Sequence, residues 1–390
     1  MKNGLVKSYP SLRKNIACDI LIVGGGITGA LMAYEFSRAG YKTVLIDKRD
    51  VGTGSTCATT AMIQYELDES LHSLIDKLGR DQAVGIYEGA IQAVNKLTHL
   101  VDSLKIECGL LEKQSLLFAH KVADVESLRK EFECRKMAGI SVNWLGKEEV
   151  VSRFGIISEG GILSDVGASL DAYQFTHALL EYTTNTYALQ VYDHTKMTDV
   201  QHGHAKNFVN TDTAAVIECG KIIYTTGYES HEVIRSNIGK LISTYACVSE
   251  PLDYLPPSLM NTIFWNTEDP YLYFRMTIDN RILIGGEDED FKNPERRDDL
   301  IEQKENELVK KFHKVMPGVK FIADFSWAGT FGATKDSLPY AGEHPDYPNS
   351  YFMLGFGGNG ITFSVMGMEI LSDAVAGRRN KFLDYFRFGR

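Results

Sequence analysis

The chain has 390 residues, of which 44% are apolar and 24% are charged, and its formal net charge is −10. This length exceeds what one small core needs, so we expect two domains that share one cleft. The negative charge disfavours a nucleic-acid partner, because nucleic-acid binding depends on clustered lysine and arginine. No run reaches the roughly 20 apolar residues of a spanning helix, and the first residues lack an apolar signal-peptide core. The sequence therefore predicts no membrane span and a cytoplasmic location.

Metal chemistry is not indicated by the cysteines or histidines. The six cysteines lie far apart and show neither C-x-x-C nor Cys/His ligand spacing, which favours reduced thiols over a zinc site or a disulfide framework. His202 and His204 are an alternative metal pair, but their Gln-His-Gly-His context is more typical of a polar hairpin turn. No metal is predicted.

The first predicted elements form a βαβ unit. Residues 18–23 are a nearly all-apolar run, as expected of a parallel strand that is buried on both faces. A glycine-rich turn opens a helix, and a second strand then ends in an acid. The residues of this motif are Gly24, Gly26, Gly29 and Asp47. Glycines permit close backbone approach to a pyrophosphate, and the acid can accept hydrogen bonds from ribose hydroxyls, so the unit predicts a dinucleotide site.

Residues 52–61 consist mainly of glycine, alanine, serine and threonine. Small side chains let backbone approach a ligand, and hydroxyls can bond phosphate or ring atoms. This run therefore favours a ligand that continues past the ribose, while an ordinary polar loop is the alternative. The βαβ motif alone does not choose between NAD and FAD.

The middle of the chain is less specific. Residues 72–150 look mainly helical and suggest no chemistry, so we interpret them as scaffold. Strand-like runs from 189 to 224 have polar turns at Gly203 and Gly220 and lead into Thr225-Thr226-Gly227.

Further strands follow from 241 to 287. Period-two alternation places Tyr271, Tyr273 and Arg275 on one face, which either contacts substrate or is solvated.

A second glycine-opened helix is predicted near the end. A strand over 351–354 precedes four closely spaced glycines, and a helix then runs over 362–376. Its N-terminus offers free N–H groups to the anionic or carbonyl oxygens of a ring.

These segments, in this order, resemble the D-amino-acid oxidase and glycine oxidase superfamily of flavoproteins over almost the whole chain. Trp327-Ala-Gly329 and the run 334–342 add to the resemblance. Within the superfamily, Tyr271 to Arg275, the run 285–288 and the C-terminal 386–390 look most like the γ-glutamylputrescine oxidoreductase branch.

The resemblance implies an α/β + β fold. It comprises a Rossmann-like FAD-binding domain, with a glutathione-reductase-like βαβ unit and a central parallel sheet, and a substrate domain with an antiparallel sheet and helices. We expect the FAD domain to be discontinuous, over residues 1–70, 150–228 and 325–390. The substrate or cap domain takes 71–149 and 229–324.

The resemblance also implies which residues bind. The expected cofactor contacts are Gly24, Gly26, Ile27, Thr28, Gly29, Asp47, Lys48, Ser55, Thr56, Thr60, Met197, Thr226, Gly227, Gly329, Asn359, Gly360, Ile361 and Thr362. The expected substrate-side residues are Tyr271, Tyr273, Arg275 and Phe331.

FAD is expected to be noncovalent. The segment 327–336 has no cysteine, and Ala58 stands where some relatives carry a linking histidine. Cys57 remains as an alternative attachment point.

The implied reaction is oxidation of a C–N bond, with hydride transfer to flavin N5, hydrolysis of the imine, and reoxidation by oxygen or another acceptor. In glycine oxidase, arginines that pair the substrate carboxylate stand at positions matching Phe331 and Gly358, so this chain is expected to prefer an amine without an adjacent carboxylate. One alternative is an FAD-dependent dehydrogenase of a 2-hydroxy acid or glycerol 3-phosphate, with a cationic pocket from Arg275 and Arg281. Another is a flavin-binding subunit without independent turnover. The electron acceptor and the oligomeric state stay open.

Overall fold

A computed structural model describes residues 7–203, 205–234 and 238–390. The strands are β1 (Ile16–Val23), β2 (Thr43–Ile46), β3 (Met62–Gln64), β4 (Leu111–Glu112), β5 (Gln114–Phe118), β6 (Val142–Gly146), β7 (Gly160–Ser164), β8 (Gly167–Ser169), β9 (Gln190–Tyr192), β10 (Met197–Gln201), β11 (Asn207–Thr211), β12 (Val216–Tyr224), β13 (Lys240–Ser249), β14 (Thr262–Asn266), β15 (Tyr273–Met276), β16 (Ile282–Asp290), β17 (Ala323–Ala333), β18 (Tyr340–Glu343) and β19 (Ser350–Leu354). The helices are α1 (Ile27–Arg38), α2 (Ser55–Ala58), α3 (Leu71–Leu78), α4 (Arg80–Leu104), α5 (Val125–Met137), α6 (Lys147–Phe154), α7 (Ala172–Tyr187), α8 (Pro257–Met260), α9 (Pro294–Asp299), α10 (Ile301–Val315), α11 (Gly360–Val375) and α12 (Lys381–Tyr385). His204, one of the two histidines weighed as a metal pair, lies outside the described residues.

The first sheet is built around β1, which pairs in parallel with β2 on one side and β12 on the other. Its order is β10-β11-β12-β1-β2-β9, with β19 beside the C-terminal half of β12 and β18 beyond it. Val23 lies level with Ile46 and with Tyr224, so the carboxyl ends of three parallel strands meet at one edge. Ligands of open α/β sheets bind at such an edge.

Helix α1 is buried from Ile27 to Ser37, not along a single face as the sequence predicted. The reason is its position, because it packs against the first sheet, α7 and α11 together. Its alanines and Gly29 have side chains small enough for this close packing.

The second sheet is mainly antiparallel and has the order β17-β13-β16-β15-β14-β5-β7-β6, with β14 and β5 parallel. Helix α10 covers one face, where the ring of Phe312 meets the ring of Phe274 edge to face at 5.4 Å. The opposite face turns toward the first sheet. A small third sheet, β3-β8-β4, packs through β8 against β5 and β14 of the second sheet.

A buried ion network supports the segment that follows β3. Nε of Arg135 lies 2.7 Å from Glu131 Oε1, and its Nη1 lies 3.4 Å from Glu66 Oε1. His72 Nδ1 contacts Glu131 Oε2 at 2.9 Å. Burial raises the pKa of Glu131, but Arg135 and His72 outweigh burial and hold it at about 2. The charged network therefore anchors the Glu66 side chain, and Glu131 also accepts from the amides of Leu71 and His72.

Two sequence-based expectations differ from the structure. Gly220 lies inside the continuous strand β12 instead of a turn, since β12 exchanges its neighbour from β11 to β19 there. Strands β7 and β17 belong to the second sheet, although their residues were expected in the FAD domain. Residues 72–150 are mainly helical, as expected, and they also contribute the short strands β5 and β6 to that sheet.

Among the described residues, no helix is both long and apolar enough to cross a bilayer.

Candidate active site

A single continuous cavity runs from the carboxyl edge of the first sheet to the inner face of the second sheet. At one end its walls are the turn after β1, the end of β2 and the start of β10. At the other end they are β13, β15, β16 and β17, with the turn before α11 between them. The shape suits an extended ligand with a compact substrate site beyond it.

The glycine turn after β1 leaves the backbone open to the cavity. Gly24 has φ +110°, and a Cβ there would lie 2.6 Å from the carbonyl oxygen of Thr225. A Cβ on Gly26 would lie 2.9 Å from Thr56 Oγ1. Gly29 does not line the cavity, so its expected cofactor contact stays a prediction. Its Cβ would lie 1.9 Å from the Gly24 carbonyl oxygen, so Gly29 is needed for helix packing behind the turn.

Asp47, at the end of β2, lines the cavity and braces the glycine turn. Its Oδ2 accepts from the Gly25 amide at 2.7 Å, and its Oδ1 accepts from the Arg49 amide at 2.8 Å. Burial raises the pKa of Asp47, while these two amides lower it. The carboxylate therefore has a structural role in addition to any contact with a ligand.

Two cations beside Asp47 also line the cavity, and both are paired. Arg49 Nη1 lies 2.8 Å and Lys48 Nζ 3.1 Å from Glu229 Oε1. Burial raises the pKa of Glu229, but these cations outweigh burial and lower it. Met197 lies at the same end of the cavity.

The small-residue run forms α2 and a following segment, which hydrogen bonds join to α1 and to the second sheet. Thr56 Oγ1 accepts from the Ile27 amide at 2.9 Å, and Ser55 Oγ donates to the Thr330 carbonyl oxygen at 3.2 Å. Trp327 Nε1 donates to the Ala58 carbonyl oxygen at 2.8 Å. The segment is thus a fixed wall of the cavity, and Ser55, Thr56 and Thr60 line it.

Arg275 does not face the cavity, contrary to its predicted substrate role. Its Nε donates to the Thr60 carbonyl oxygen at 2.6 Å, and burial lowers the pKa of its guanidinium to about 10. Arg281 is also outside the cavity lining, where it pairs with Asp279 at 3.0 Å and with Asp324. Arg275 therefore supports the wall from behind, and Arg281 serves the surface of the second sheet.

The turn before α11 is tied to the segment after β3. Asn359 Nδ2 donates to the Glu66 carbonyl oxygen at 2.8 Å, while its Oδ1 accepts from the Asp68 amide at 3.2 Å. Thr362 Oγ1 donates to the Gln64 carbonyl oxygen at 2.8 Å. With their side chains engaged in these bonds, Asn359 and Thr362 present backbone at the first turn of α11 to the cavity, together with Gly360 and Ile361.

The remaining predicted cofactor contacts also line the cavity. They are Ile27, Thr28, Thr226, Gly227 and Gly329. Gly227 has φ +57°, a left-handed conformation that favours glycine.

The second-sheet end of the cavity is aromatic. The rings of Tyr271 and Tyr273 lie 5.8 Å apart, and Trp265 meets Tyr271 edge to face at 5.8 Å. Phe331, on β17, also lines the cavity, opposite Ile242 of β13 in the same sheet. Gly285 leaves room for the ring of Tyr273, since a Cβ on Gly285 would lie 2.4 Å from Cζ of that ring.

Two carboxylates at this end were missed by sequence reasoning. Asp68 Oδ1 accepts from the Tyr271 hydroxyl at 3.1 Å, and its Oδ2 accepts from the Gly358 amide at 2.7 Å. Burial raises the pKa of Asp68. Asp288 also lines the cavity, and burial raises the pKa of its carboxyl to about 6. The paired glycines before Asp288 were the available signal, because glycine inside a strand often marks a bulge.

The residues present fit FAD. The cavity passes a glycine turn whose Gly24 and Gly26 line it, then the N-terminal turn of α1, and it reaches the N-terminal turn of α11. Free N–H groups at helix N-termini suit phosphate at the first position and ring carbonyl oxygens at the second. Fold and cavity together define a dinucleotide-dependent oxidoreductase.

The chain belongs to the family described as DAO, FAD dependent oxidoreductase, which matches residues 19–374. It is 24% identical to the putative Rieske 2Fe-2S iron-sulfur protein YhfW of Bacillus subtilis, over 97% of this chain and 72% of that protein. It is 22% identical to the γ-glutamylputrescine oxidoreductase of Escherichia coli, over 96% of this chain and 87% of that enzyme. The crystal structure of glycine oxidase from Geobacillus kaustophilus shares the fold, with a TM-score of 0.79, 20% identity, and coverage of 96% of this chain and 99% of that one.

Proposed function

We propose that this FAD-dependent oxidoreductase oxidises the C–N bond of an amine or amino-acid derivative. FAD, when bound, accepts the substrate hydride at its N5, and the resulting imine is hydrolysed by water. The observation that carries the proposal is the composition of the second-sheet end of the cavity, which combines aromatic rings with carboxylates.

The residues proposed to hold the cofactor follow the cavity from end to end. Asp47, Lys48 and Met197 would contact the adenosine half, and the amides from Gly26 to Thr28 the pyrophosphate. Ser55, Thr56 and Thr60 would line the path to the ring. The turn from Asn359 to Thr362 would bind the pyrimidine side, where free N–H groups at the start of α11 match carbonyl oxygens.

Noncovalent attachment is part of the proposal. Cys57 does not line the cavity, and its Sγ lies 3.1 Å from the Gly54 carbonyl oxygen, with a thiol pKa that burial raises. A thiol that stays protonated is a poor nucleophile. Ala58 lines the cavity but offers no atom for a bond.

The proposed substrate has no carboxylate beside the reacting carbon. A buried carboxylate needs a cation, and arginine is its usual partner. In the part of the chain that the structure describes, the cations lining the cavity are Lys48, Arg49 and Lys196, which flank the ends of β2 and β9 instead of the aromatic wall. Phe331 adds an apolar ring to the second-sheet side of the cavity, which suits an alkyl chain.

Oxidation of a hydroxy acid or glycerol 3-phosphate is the second candidate. Such a substrate is anionic, and its hydroxyl proton needs a base. Arg275 and Arg281, the cations that could have served it, lie outside the cavity lining. The positions of these two arginines therefore favour an amine substrate over an anionic one.

The test is anaerobic reduction of the bound flavin by a panel of amines, amino acids, 2-hydroxy acids and glycerol 3-phosphate. We expect amines to bleach the flavin fastest. Dithionite serves as the control for a reducible flavin, and a flavin that only dithionite reduces would support a subunit without independent turnover. Faster bleaching by glycerol 3-phosphate or a hydroxy acid would overturn the proposal in favour of the second candidate.

A further inference from the structure

The two ends of the cavity differ in charge. Lys48, Arg49 and Lys196 lie at the end beside β2 and β9, whereas Asp68 and Asp288 lie at the aromatic end. Of the described residues that line the aromatic end, none is a lysine or arginine. A ligand group that enters this end therefore meets negative charge.

An irregularity of β16 sets the orientation of the Asp288 side chain. Tyr245 pairs with Gly286 and Ser243 pairs with Glu289, so Glu287 and Asp288 lie together opposite Thr244. This is a β-bulge, and Glu287 takes φ +56° within it. Bulges redirect side chains, and this one places Asp288 in the cavity wall.

One oxygen of Asp288 has no partner. Oδ1 is buried and makes no hydrogen bond, although the carboxylate faces the cavity. The nearby cations form ion pairs with the neighbouring Glu287. Nζ of Lys304 lies 3.7 Å and Nζ of Lys311 lies 2.5 Å from its carboxylate oxygens. A buried carboxylate oxygen without a partner is unfavourable unless a ligand supplies a donor or a cation.

Asp68 adds a second carboxylate whose position is held by its own bonds. The Tyr271 hydroxyl and the Gly358 amide both donate to it. Gly358 is needed at this point, because a Cβ there would lie 2.8 Å from Asp68 Oδ1 and from the Tyr271 hydroxyl. The carboxylate is therefore oriented before any ligand binds.

We propose that Asp288, together with Asp68, binds a protonated amino group of the substrate other than the amine that is oxidised, so that the preferred substrates are diamines or polyamines. This inference rests on the proposed function. An amine must be neutral to release hydride, whereas a carboxylate in contact with an ammonium group keeps it protonated. The two carboxylates therefore suit a distant ammonium group, and the rings of Trp265, Tyr271 and Tyr273 suit the alkyl chain and the cation.

The experiment compares 1,4-diaminobutane with 1-aminobutane and with N-acetyl-1,4-diaminobutane, which keeps the chain and removes the second charge. Anaerobic flavin reduction gives the rate at saturation and the apparent dissociation constant for each amine. For the wild-type protein we expect 1,4-diaminobutane to bind at least tenfold more tightly than the other two. Asp288→Asn should remove that preference, and Asp68→Asn should reduce it.

Asp290→Asn is the matched control, because Asp290 lies on the same strand but is exposed. It should keep the wild-type preference. The melting temperature and flavin content of each variant show whether it is folded, and Asp288→Glu, which restores the charge, should recover part of the preference. Equal affinity of the wild-type protein for all three amines would overturn the inference and leave the proposed function standing. The inference would also be overturned if Asp288→Asn weakened the binding of 1-aminobutane and 1,4-diaminobutane equally. Asp288 would then act on the reacting amine.

Binding is measured separately from reduction by calorimetric titration of the oxidised holoenzyme. If 1,4-diaminobutane binds the wild-type protein but not Asp288→Asn, while no amine reduces the flavin, the proposed function fails and the ammonium site stands. If amines reduce the flavin and the calorimetric affinities of wild type and Asp288→Asn agree, the site fails and the proposed function stands.

Discussion

The hydroxyl of Tyr271 donates to Oδ1 of Asp68 over 3.1 Å and so joins the second sheet to the segment that follows β3. Burial raises the pKa of both groups. Tyr271 therefore stays protonated and remains the donor at neutral pH. The same carboxylate accepts from Gly358 at the turn before α11, so one side chain connects three walls of the cavity.

Asp47→Ala is expected to weaken FAD binding by about 1–3 kcal/mol, the scale for loss of a charge-assisted hydrogen bond. It removes the acceptor of the Gly25 amide as well as the expected ribose contact. Titration of the apoprotein with FAD measures the change. Asp346→Ala, at an exposed site, should bind FAD like wild type. Equal affinity in both variants would mean that Asp47 is dispensable at the end of β2.

Acid precipitation of the purified yellow protein is expected to release the flavin into the supernatant. Cys57 does not line the cavity, and the segment 327–336 contains no cysteine. Absorbance of the supernatant and pellet measures the release. Flavin that stays with the pellet would contradict noncovalent attachment, and Cys57→Ser would then identify or exclude this thiol as the attachment point.

Phe331→Arg is expected to shift preference from amines toward amino acids. A guanidinium on β17 would offer a partner for an α-carboxylate and would oppose an ammonium group. The measurement is the ratio of flavin-reduction rates for D-alanine and 1,4-diaminobutane, which should rise at least tenfold. Phe325→Arg is the control, since Phe325 lies on the same strand with 54% exposure. A ratio that rises equally in both variants, or in neither, would refute the role of Phe331.

Gly285→Ala is expected to slow flavin reduction and to destabilise the fold by about 1–3 kcal/mol, the usual cost of overpacking. Its new Cβ would lie 2.4 Å from Cζ of Tyr273, so this ring must move. Gly318→Ala is the control, because a Cβ there meets nothing within 4 Å. Thermal unfolding and anaerobic reduction measure the two effects. A Gly285→Ala protein with wild-type rate and stability would show that the tyrosine wall tolerates displacement.

Affinity for 1,4-diaminobutane is expected to fall as the pH decreases from 7.5 to 5. The pKa of Asp288 is raised from 3.8 to about 6 by burial first and by Asp68 and Glu287 next, while Thr244 and Lys304 lower it. Below that pKa the carboxyl is protonated and cannot pair with an ammonium group. Asp68, whose pKa is also raised, loses charge in the same direction, and Glu287 is engaged by Lys304.

In Asp288→Asn the affinity for 1,4-diaminobutane should depend less on pH. Calorimetric titration between pH 7.5 and pH 5 measures this dependence. The pKa raised from 3.8 to about 6 also means that the charged carboxylate costs the folded state stability, and this cost grows between those two pH values and is complete above the higher one. Asp288→Asn should therefore melt at a higher temperature than wild type at pH 7.5, with a smaller difference at pH 5. A pH dependence unchanged by the substitution would assign the titration to another group.

The cofactor end of the cavity could be predicted from the sequence because its signals are local. The strand, glycine turn, helix and acid lie within about 30 residues, and their spacing has one physical explanation. Gly29 belongs to the same spacing but packs against the Gly24 carbonyl oxygen. Spacing identifies the motif but does not say which glycine faces the ligand and which packs against backbone.

The substrate end could not be predicted because it depends on long-range geometry. Period two placed Arg275 on the face of Tyr273, yet each step of two residues advances a strand by roughly 6.6 Å. That distance carries Arg275 past the cavity to the Thr60 carbonyl oxygen. Asp288 faces the cavity because of a bulge, which changes the side-chain alternation that sequence reasoning assumes.

The central pairing of the first sheet has a consequence for the order in which the protein folds. Strand β1 carries the glycine turn, yet its partner β12 follows far along the chain, so that the bond from Thr225 Oγ1 to the Val23 carbonyl oxygen spans 202 residues. During synthesis, the apolar strand β1 emerges from the ribosome long before β12 exists to cover its edge. Contacts of such long range slow folding and leave hydrophobic surface open to aggregation in the meantime. Production of this protein should therefore benefit from slow translation at low temperature and from chaperones that shield nascent chains.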